Sequence, residues 1–236
     1  PLSSPDITEA ERKAVLGVLR TPVLSLGPQV QAFEQLLARN AGRKYAVAVN
    51  SGTSALHLII RSLGIDKGDE VITTSFSFIA SANAVLFEGA KPVFVDIQKD
   101  TFNIDPAKIE QAIRPGRTKA ILAVDVFGEP ADWDKILAIA KKYRLKVIED
   151  AAEAIGAVYL PAQTGKGKKC GGFGDASIFS FYPNKQMTTG EGGVILTDDK
   201  KIAELCWSMT NQGRKQGGGK WLEHVRLGYN YRMTEM

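Results

Sequence analysis

The start of the chain has the hydrophobic spacing of two amphipathic helices. Thr8 and Glu11 stand three residues apart, as in a capping box, and apolar residues follow at intervals of three and four. This pattern predicts a helix over residues 8–20. A second helix is predicted from Pro28, a favoured first helical residue, to the residue before Gly42.

Short apolar runs then alternate with segments of helical periodicity. The runs predict strands at 45–49, 70–73, 92–95, 120–124 and 146–148. The segments predict helices at 53–63, 79–87 and 131–143, and another that opens at Asp105 and Pro106. Such alternation is typical of an α/β domain, in which helices cover both faces of a largely parallel sheet.

After residue 156 the rhythm changes. Apolar runs at 158–160, 177–181 and 193–197 follow one another without predicted helices between them, so hairpins or an antiparallel strand are expected. Near the end, Thr234 and Glu235 look like the start of another helix. We therefore expect part of a longer protein that has an N-terminal arm at 1–25, a large domain at 26–236 and a C-terminal small domain absent from this chain.

Composition narrows the class of protein. The 236 residues are 44% hydrophobic, enough for one large domain with a sizeable core. The net charge is only +4 and the charges are dispersed, so no basic stripe suggests nucleic-acid binding. Two cysteines are too few for a disulfide framework, and no apolar run approaches the roughly 20 residues that span a bilayer. We expect a soluble, cytoplasmic protein that binds neither nucleic acid nor membrane.

One candidate site is the turn that joins the first predicted strand to the next helix, Asn50-Ser51-Gly52-Thr53. Free N–H groups at a helix N-terminus, together with the helix dipole, make an anion site that suits a phosphate. Serine and threonine are also ordinary helix caps, so the turn alone leaves both interpretations open. It is not a Walker A loop, since no GK[ST] follows.

Glu149 and Asp150 form a second candidate, at the end of a predicted strand. In open α/β sheets, ligands bind beyond the C-terminal ends of the strands. Asp150 follows apolar residues and is expected to be partly buried, where a carboxylate needs a cationic or strongly donating partner. That partner is either the protonated nitrogen of a ligand or a Lys or Arg in a structural ion pair.

Lys185 is the third candidate, because it stands between an apolar strand-like run and a glycine-rich turn. Those glycines permit positive φ and a close approach of backbone to ligand. Ser180, five residues earlier, can lie at the other end of the same small ligand. An isolated lysine is usually a surface charge, whereas this context favours an amine that acts as a nucleophile.

Four segments together closely resemble the DegT/DnrJ/EryC1/StrS family of sugar aminotransferases, which depend on pyridoxal phosphate (PLP). They are, in order, NSGTSALHL, EDAAEAIGA, SFYPNKQMTTGEGG and GYNYRMTEM. The resemblance runs over essentially the whole chain. It implies the PLP-dependent transferase fold of the aspartate aminotransferase-like kind (fold type I), whose large domain has a mostly parallel central sheet flanked by helices.

The resemblance also implies a role for each matching residue. Lys185 would form the Schiff base with PLP, and Asp150 would keep the pyridine nitrogen protonated. Gly52, Thr53 and Ser180 would bind the phosphate.

Three further contacts are implied in the same way. Phe78 would stack on the cofactor ring, and Glu153, where many members carry Gln or His, would lie near its 3-hydroxyl. Asn230 would reach the phosphate in a neighbouring subunit, which implies a homodimer with shared active sites.

The implied reaction is transfer of an amino group from an amino acid, with glutamate the expected donor, to a keto-sugar linked to a nucleoside diphosphate. Pyridoxamine phosphate would be the intermediate form of the cofactor, and no metal is expected. Two alternatives remain open on the same scaffold: a PLP-dependent dehydratase or cyclising enzyme, and a non-catalytic regulatory relative. Family members that act as dehydratases carry histidine in place of the lysine, so Lys185 favours transamination.

Overall fold

The computed structural model of the chain describes residues 3–161, 165–215 and 223–236. In chain order, its helices are α1 Glu9–Leu19, α2 Pro28–Ala41, α3 Gly52–Ser62, α4 Ala80–Phe87, α5 Pro106–Ala112, α6 Trp133–Tyr143 and α7 Lys200–Thr210. Its strands are β1 Tyr45–Val49, β2 Glu70–Thr74, β3 Lys91–Val95, β4 Thr118–Val124, β5 Lys146–Asp150, β6 Val158–Tyr159, β7 Lys168–Lys169, β8 Ala176–Ser180 and β9 Gly193–Thr197.

The helix ends form for the local reasons that the sequence indicated. The Thr8 side chain accepts from the first turn of α1, and Glu11 accepts in return from the Thr8 N–H, which completes the capping box. Helix α2 ends at Gly42, whose φ of 68° is left-handed and suits a residue without a side chain. Both predicted helices are confirmed, and no residue of α1 is buried.

A seven-stranded sheet in the order β1-β9-β8-β5-β4-β2-β3 is the centre of the molecule. The five neighbouring strands β8, β5, β4, β2 and β3 run parallel to one another. Strand β9 runs antiparallel to both of its neighbours, β8 and β1. The expected mostly parallel sheet with an antiparallel strand is therefore confirmed. Asp150 pairs with Ile178 and Ser180 pairs with Gly193, so the ends of β5 and β8 lie at one edge.

The sheet buries both faces, which explains why its strands are apolar runs rather than alternating ones. Leu122 of β4 packs in the core cluster that includes α3 and α7, whereas its neighbours Ile121 and Ala123 pack in the cluster that includes α5 and α6. In the described ranges, no helix has the length and apolar character needed to cross a membrane.

One local feature differs from the sequence-based expectation. The sequence predicted no helix after β9, but α7 begins there, with the Asp199 side chain accepting from the N–H groups of Lys201 and Ile202. Thr234 and Glu235 are not helical among the described residues, and a helix that begins at Thr234 stays a prediction. Glu235 instead accepts hydrogen bonds from N–H groups at the N-terminus of α2, since helix ends leave such donors without partners.

Candidate active site

A cavity of about 440 Å³ opens at the edge of the sheet where β5 and β8 end and α3 begins. It brings together residues from distant parts of the chain. Of the predicted site residues, those that line it are Gly52, Thr53, Phe78, Asp150, Glu153, Ser180 and Lys185. Asn230 is not among the lining residues and is exposed.

The N-terminus of α3 forms one end of the cavity. Ser51 is the helix cap, and its Oγ accepts a hydrogen bond of 3.0 Å from the Ser54 N–H. The cap interpretation is therefore confirmed for Ser51, while Thr53 and Ser180 still present their side chains to the cavity. Glycine at position 52 allows a close approach to β8, because a Cβ there would lie only 3.0 Å from the Ser180 Cβ. Hydroxyl groups and a helix N-terminus converge at this end, an arrangement that suits an anion.

Asp150 also lines the cavity and is 5% exposed. Its Oδ2 accepts from the Ser81 hydroxyl at 2.9 Å, and its Oδ1 from the Ala152 N–H at 3.2 Å. Burial raises the pKa of Asp150, and the Ser81 hydrogen bond opposes that rise. Within the described residues, the structural ion pair considered from the sequence does not form. A buried carboxylate that faces a cavity without a cationic partner can accept a positively charged group from a ligand.

Ser81 is a site residue that sequence reasoning missed. It lies in the first turn of α4 and is 2% exposed. Ser77 Oγ is 3.2 Å from Ser81 Oγ, so two hydroxyls in series lead to Asp150. The only signal in the sequence was their spacing of four residues, which places Ser77 and Ser81 one turn apart.

The Lys185 amine is held inside the cavity. Its Nζ lies 2.7 Å from Glu153 Oε1, and only 16% of the side chain is exposed. The other Glu153 oxygen accepts from the Phe127 N–H at 3.2 Å. Gly128 follows with a φ of 84°, and a Cβ there would lie 2.8 Å from the Glu153 carbonyl oxygen. Lys185 is therefore a directed group in an enclosed site rather than a solvated surface charge.

The two adjacent acids at the end of β5 have different environments. Glu149 is fully buried on the other side of the strand and accepts from the Gly171 and Phe173 N–H groups, both at 2.7 Å. Burial, followed by the nearby Asp125 carboxyl group, raises the pKa of Glu149 well above its usual range. Glu149 thus fixes the turn before β8, whereas Asp150 faces the cavity.

Phe78 and Asn230 are the two most exposed of the predicted site residues. Phe78 is 77% exposed at the mouth of the cavity. Asn230 lies between Tyr229 and Tyr231, whose rings stack with centroids 4.9 Å apart. Tyr231 also lies 3.2 Å from the buried His57, so both flanking tyrosines are anchored on one side of the segment while Asn230 is exposed.

Comparison with known proteins places this geometry in a family. The model of the DegT/DnrJ/EryC1/StrS aminotransferase family matches residues 5–236. A curated relative, the GDP-perosamine synthase of Caulobacter vibrioides, is 45% identical over 236 residues, which are 100% of this chain and 61% of the relative. The chain thus spans about three fifths of the length of that relative.

Solved structures agree with the observed architecture. The aminotransferase from Psychrobacter cryohalolentis is 37% identical, with a TM-score of 0.90 over 99% of this chain and 60% of that one. The PLP form of the sugar aminotransferase Spr1654 from Streptococcus pneumoniae, named as putative, is 32% identical, with a TM-score of 0.90 over 100% of this chain and 63% of that one. These likenesses confirm the expected fold type I.

Proposed function

The chain belongs to the DegT/DnrJ/EryC1/StrS aminotransferase family, and we propose that its full-length protein is a PLP-dependent aminotransferase of amino-sugar biosynthesis. The amine comes from an amino acid, with glutamate the expected donor, and goes to a keto-sugar linked to a nucleoside diphosphate. The name of the relative from Caulobacter, GDP-perosamine synthase, supports the choice of a nucleotide-linked sugar.

The observation that carries the proposal is the position of three different groups around one cavity. The N-terminus of α3, with Thr53 and Ser180, suits the cofactor phosphate. Buried Asp150 lacks a cationic partner among the described residues and suits a protonated ring nitrogen. The Lys185 amine is the nucleophile that an aldehyde requires. The residues present therefore fit PLP.

When bound, PLP supplies an electron sink for the carbanion that forms at the substrate α-carbon. Lys185 is the general acid and base of the site, since its amine can take a proton from that carbon and return it during the transfer. Asp150 provides the negative charge that holds the ring nitrogen protonated. Glu153 orients the Lys185 amine through the contact of 2.7 Å.

Labelling of Lys185 tests the proposal directly. Full-length protein with PLP is reduced by borohydride and mapped by mass spectrometry, and we expect the label on Lys185. Lys185→Ala should abolish amine transfer from glutamate to a nucleotide-linked keto-sugar. The control is Lys142→Ala, which removes a surface lysine that pairs with Glu110. Transfer that persists in Lys185→Ala would contradict the proposal, and loss of water without glutamate consumption would identify a dehydratase.

The assembly and location belong to the same proposal. A homodimer with shared sites would let Asn230 reach the cofactor phosphate of a neighbouring subunit, and the exposure of its side chain supports this role. The division into an arm, a large domain and a further C-terminal domain also stays a prediction, as does a cytoplasmic location.

A further inference from the structure

Three phenylalanine rings form an exposed platform whose Phe127 backbone contacts Glu153 of the cavity wall, although none of the three residues lines the cavity itself. We call the set Phe76, Phe102 and Phe127 the phenylalanine platform. The ring centroids are 5.5 Å apart for Phe76 and Phe102, 6.0 Å for Phe76 and Phe127, and 6.2 Å for Phe102 and Phe127. Their exposed fractions are 42%, 42% and 71%. Contact with water is unfavourable for an apolar ring, so a cluster of three exposed phenylalanine rings is unusual at a protein surface.

The backbone of the platform is strained. Phe102 has a φ of 61° and Phe127 a φ of 54°, both in the left-handed region, where a bulky residue is a genuine outlier. Such strain persists only where the surroundings impose it, and it is concentrated at functional sites.

A buried side chain imposes this conformation on both loops. Asn103 is 1% exposed. Its Oδ1 accepts from the Val126 N–H at 2.8 Å, and its Nδ2 donates to the Glu129 carbonyl oxygen at 2.9 Å. Asn103 therefore connects the loop that carries Phe102 to the loop that carries Phe127, and the platform is a built structure rather than a chance cluster.

The platform is continuous with the reacting centre. The Phe127 N–H donates to Glu153 Oε2 at 3.2 Å, and Glu153 Oε1 contacts the Lys185 amine at 2.7 Å. A substrate whose sugar carbon is at Lys185 can therefore place a more distant part of itself on the rings.

We infer that the phenylalanine platform binds the nucleobase of the nucleotide-linked acceptor by stacking. The inference rests on the proposed function, because only a nucleotide-linked sugar has a base to stack. Exposed aromatic faces bind bases of any sequence, since every base has a π-face. Binding the distant base also holds the sugar in place at the reacting amine, which is how enzymes use contacts remote from the chemistry.

Titration of GDP and UDP tests this inference. The PLP-loaded, full-length protein is titrated with each nucleotide by calorimetry, and so are Phe102→Ala and Phe102→Leu. We expect at least one nucleotide to bind. We expect both variants to weaken that binding by about fivefold or more, because leucine keeps an apolar side chain but has no π-face. The matched control is Phe94→Ala, which removes a 55% exposed phenylalanine from β3 that is not part of the phenylalanine platform.

Each other outcome overturns the inference. It fails if the unaltered protein binds neither nucleotide, or if Phe102→Ala binds as tightly as Phe94→Ala. It also fails if Phe102→Ala changes the oligomeric state in sedimentation, because the platform would then be an interface between copies. Transfer of the amino group from glutamate to bound PLP, which yields 2-oxoglutarate and pyridoxamine phosphate, is measured separately for the unaltered protein. If that reaction is absent, the proposed function itself is wrong.

Discussion

The Lys185 amine and the Glu153 carboxylate form an ion pair of 2.7 Å inside the candidate active site. The two residues are 32 positions apart in the chain, so the fold rather than a local turn brings them together. Glu153 lines the cavity, so its carboxylate adds a negative charge to the cavity wall.

Replacing Glu153 with glutamine is expected to strengthen PLP binding. PLP is an anion, and Glu153→Gln removes a like charge next to its binding site while keeping a side chain that can contact Lys185. The gain should be about fivefold, because one charge at a partly solvated position is worth roughly 1 kcal/mol. Equilibrium dialysis of PLP measures it.

Glu191→Gln is the control for this experiment. Glu191 lines the same cavity but is exposed, so its removal should have a smaller effect. The gain for Glu153→Gln should also shrink as salt is added, since ions screen the repulsion. Weaker PLP binding by Glu153→Gln would show that the carboxylate is needed to hold Lys185 in position.

Removing the Ser81 hydroxyl is expected to make the enzyme more sensitive to acid. The Ser81 hydrogen bond opposes the effect of burial on the pKa of Asp150, so Ser81→Ala should raise that pKa further. Asp150 must be ionised to hold a positively charged ring nitrogen. The acid limb of the pH–activity profile should therefore move to higher pH, with activity recovered above it.

Ser77→Ala is the matched control, since Ser77 contacts Ser81 at 3.2 Å. A smaller shift is expected because the hydroxyl that donates to Asp150 is still present. Equal shifts of the acid limb in Ser77→Ala and Ser81→Ala would mean that the two serines act through packing rather than through the hydrogen bond to Asp150.

Glu34 is expected to make the protein less stable as pH rises. This residue of α2 accepts from the Ala48 N–H at 2.8 Å, and burial raises its pKa from 4.5 to about 7. Between these values the folded state binds more protons than the unfolded state, so the free energy of unfolding falls as pH increases. Glu34→Gln should change little near pH 4 and add roughly 1 to 3 kcal/mol above pH 8.

Urea denaturation at both pH values measures this difference. Glu204→Gln is the control. Glu34 and Glu204 both line a second cavity, of about 620 Å³, but the Glu204 side chain is 52% exposed and pairs with Lys200. A gain for Glu34→Gln that is equal at pH 4 and pH 8 would exclude ionisation of Glu34 as the cause.

Glu235 is expected to stabilise the start of α2. Its carboxylate accepts from the N–H groups of Gly27, Gln29 and Val30 at 2.6, 2.8 and 3.3 Å, and it is 5% exposed. Glu235→Ala leaves these donors without that partner, and the free energy of unfolding should fall by about 1 to 2 kcal/mol.

Chemical denaturation of the full-length protein checks this value. Glu235→Gln keeps one acceptor oxygen, so its free energy of unfolding should lie between those of the unaltered protein and Glu235→Ala. Glu11→Ala, which removes a capping contact from the exposed helix α1, should cost less. If Glu235→Ala lowers the free energy of unfolding by no more than Glu11→Ala does, the buried Glu235 cap does not stabilise α2 beyond an exposed cap.

The sequence by itself determined most of the helices and strands and the end of the sheet where the candidate active site lies. Apolar runs separated by helical periodicity predicted the α/β sheet, because a sheet covered on both faces needs apolar residues at every strand position. The same reasoning made Asp150 a candidate site residue, since ligands bind beyond the C-terminal ends of strands in open α/β sheets. Helix α7 was missed although its Asp199 cap was visible in the sequence.

Only the tertiary structure decided which groups touch. Ser81 meets Asp150 across 69 positions, Lys185 meets Glu153 across 32, and Glu235 reaches Gly27 across 208. Local periodicity says which face a residue occupies, but these contacts depend on strand order, on register and on the loops between elements. The phenylalanine platform depends on them most, because a buried Asn103 must connect two separate loops before three scattered rings become one surface.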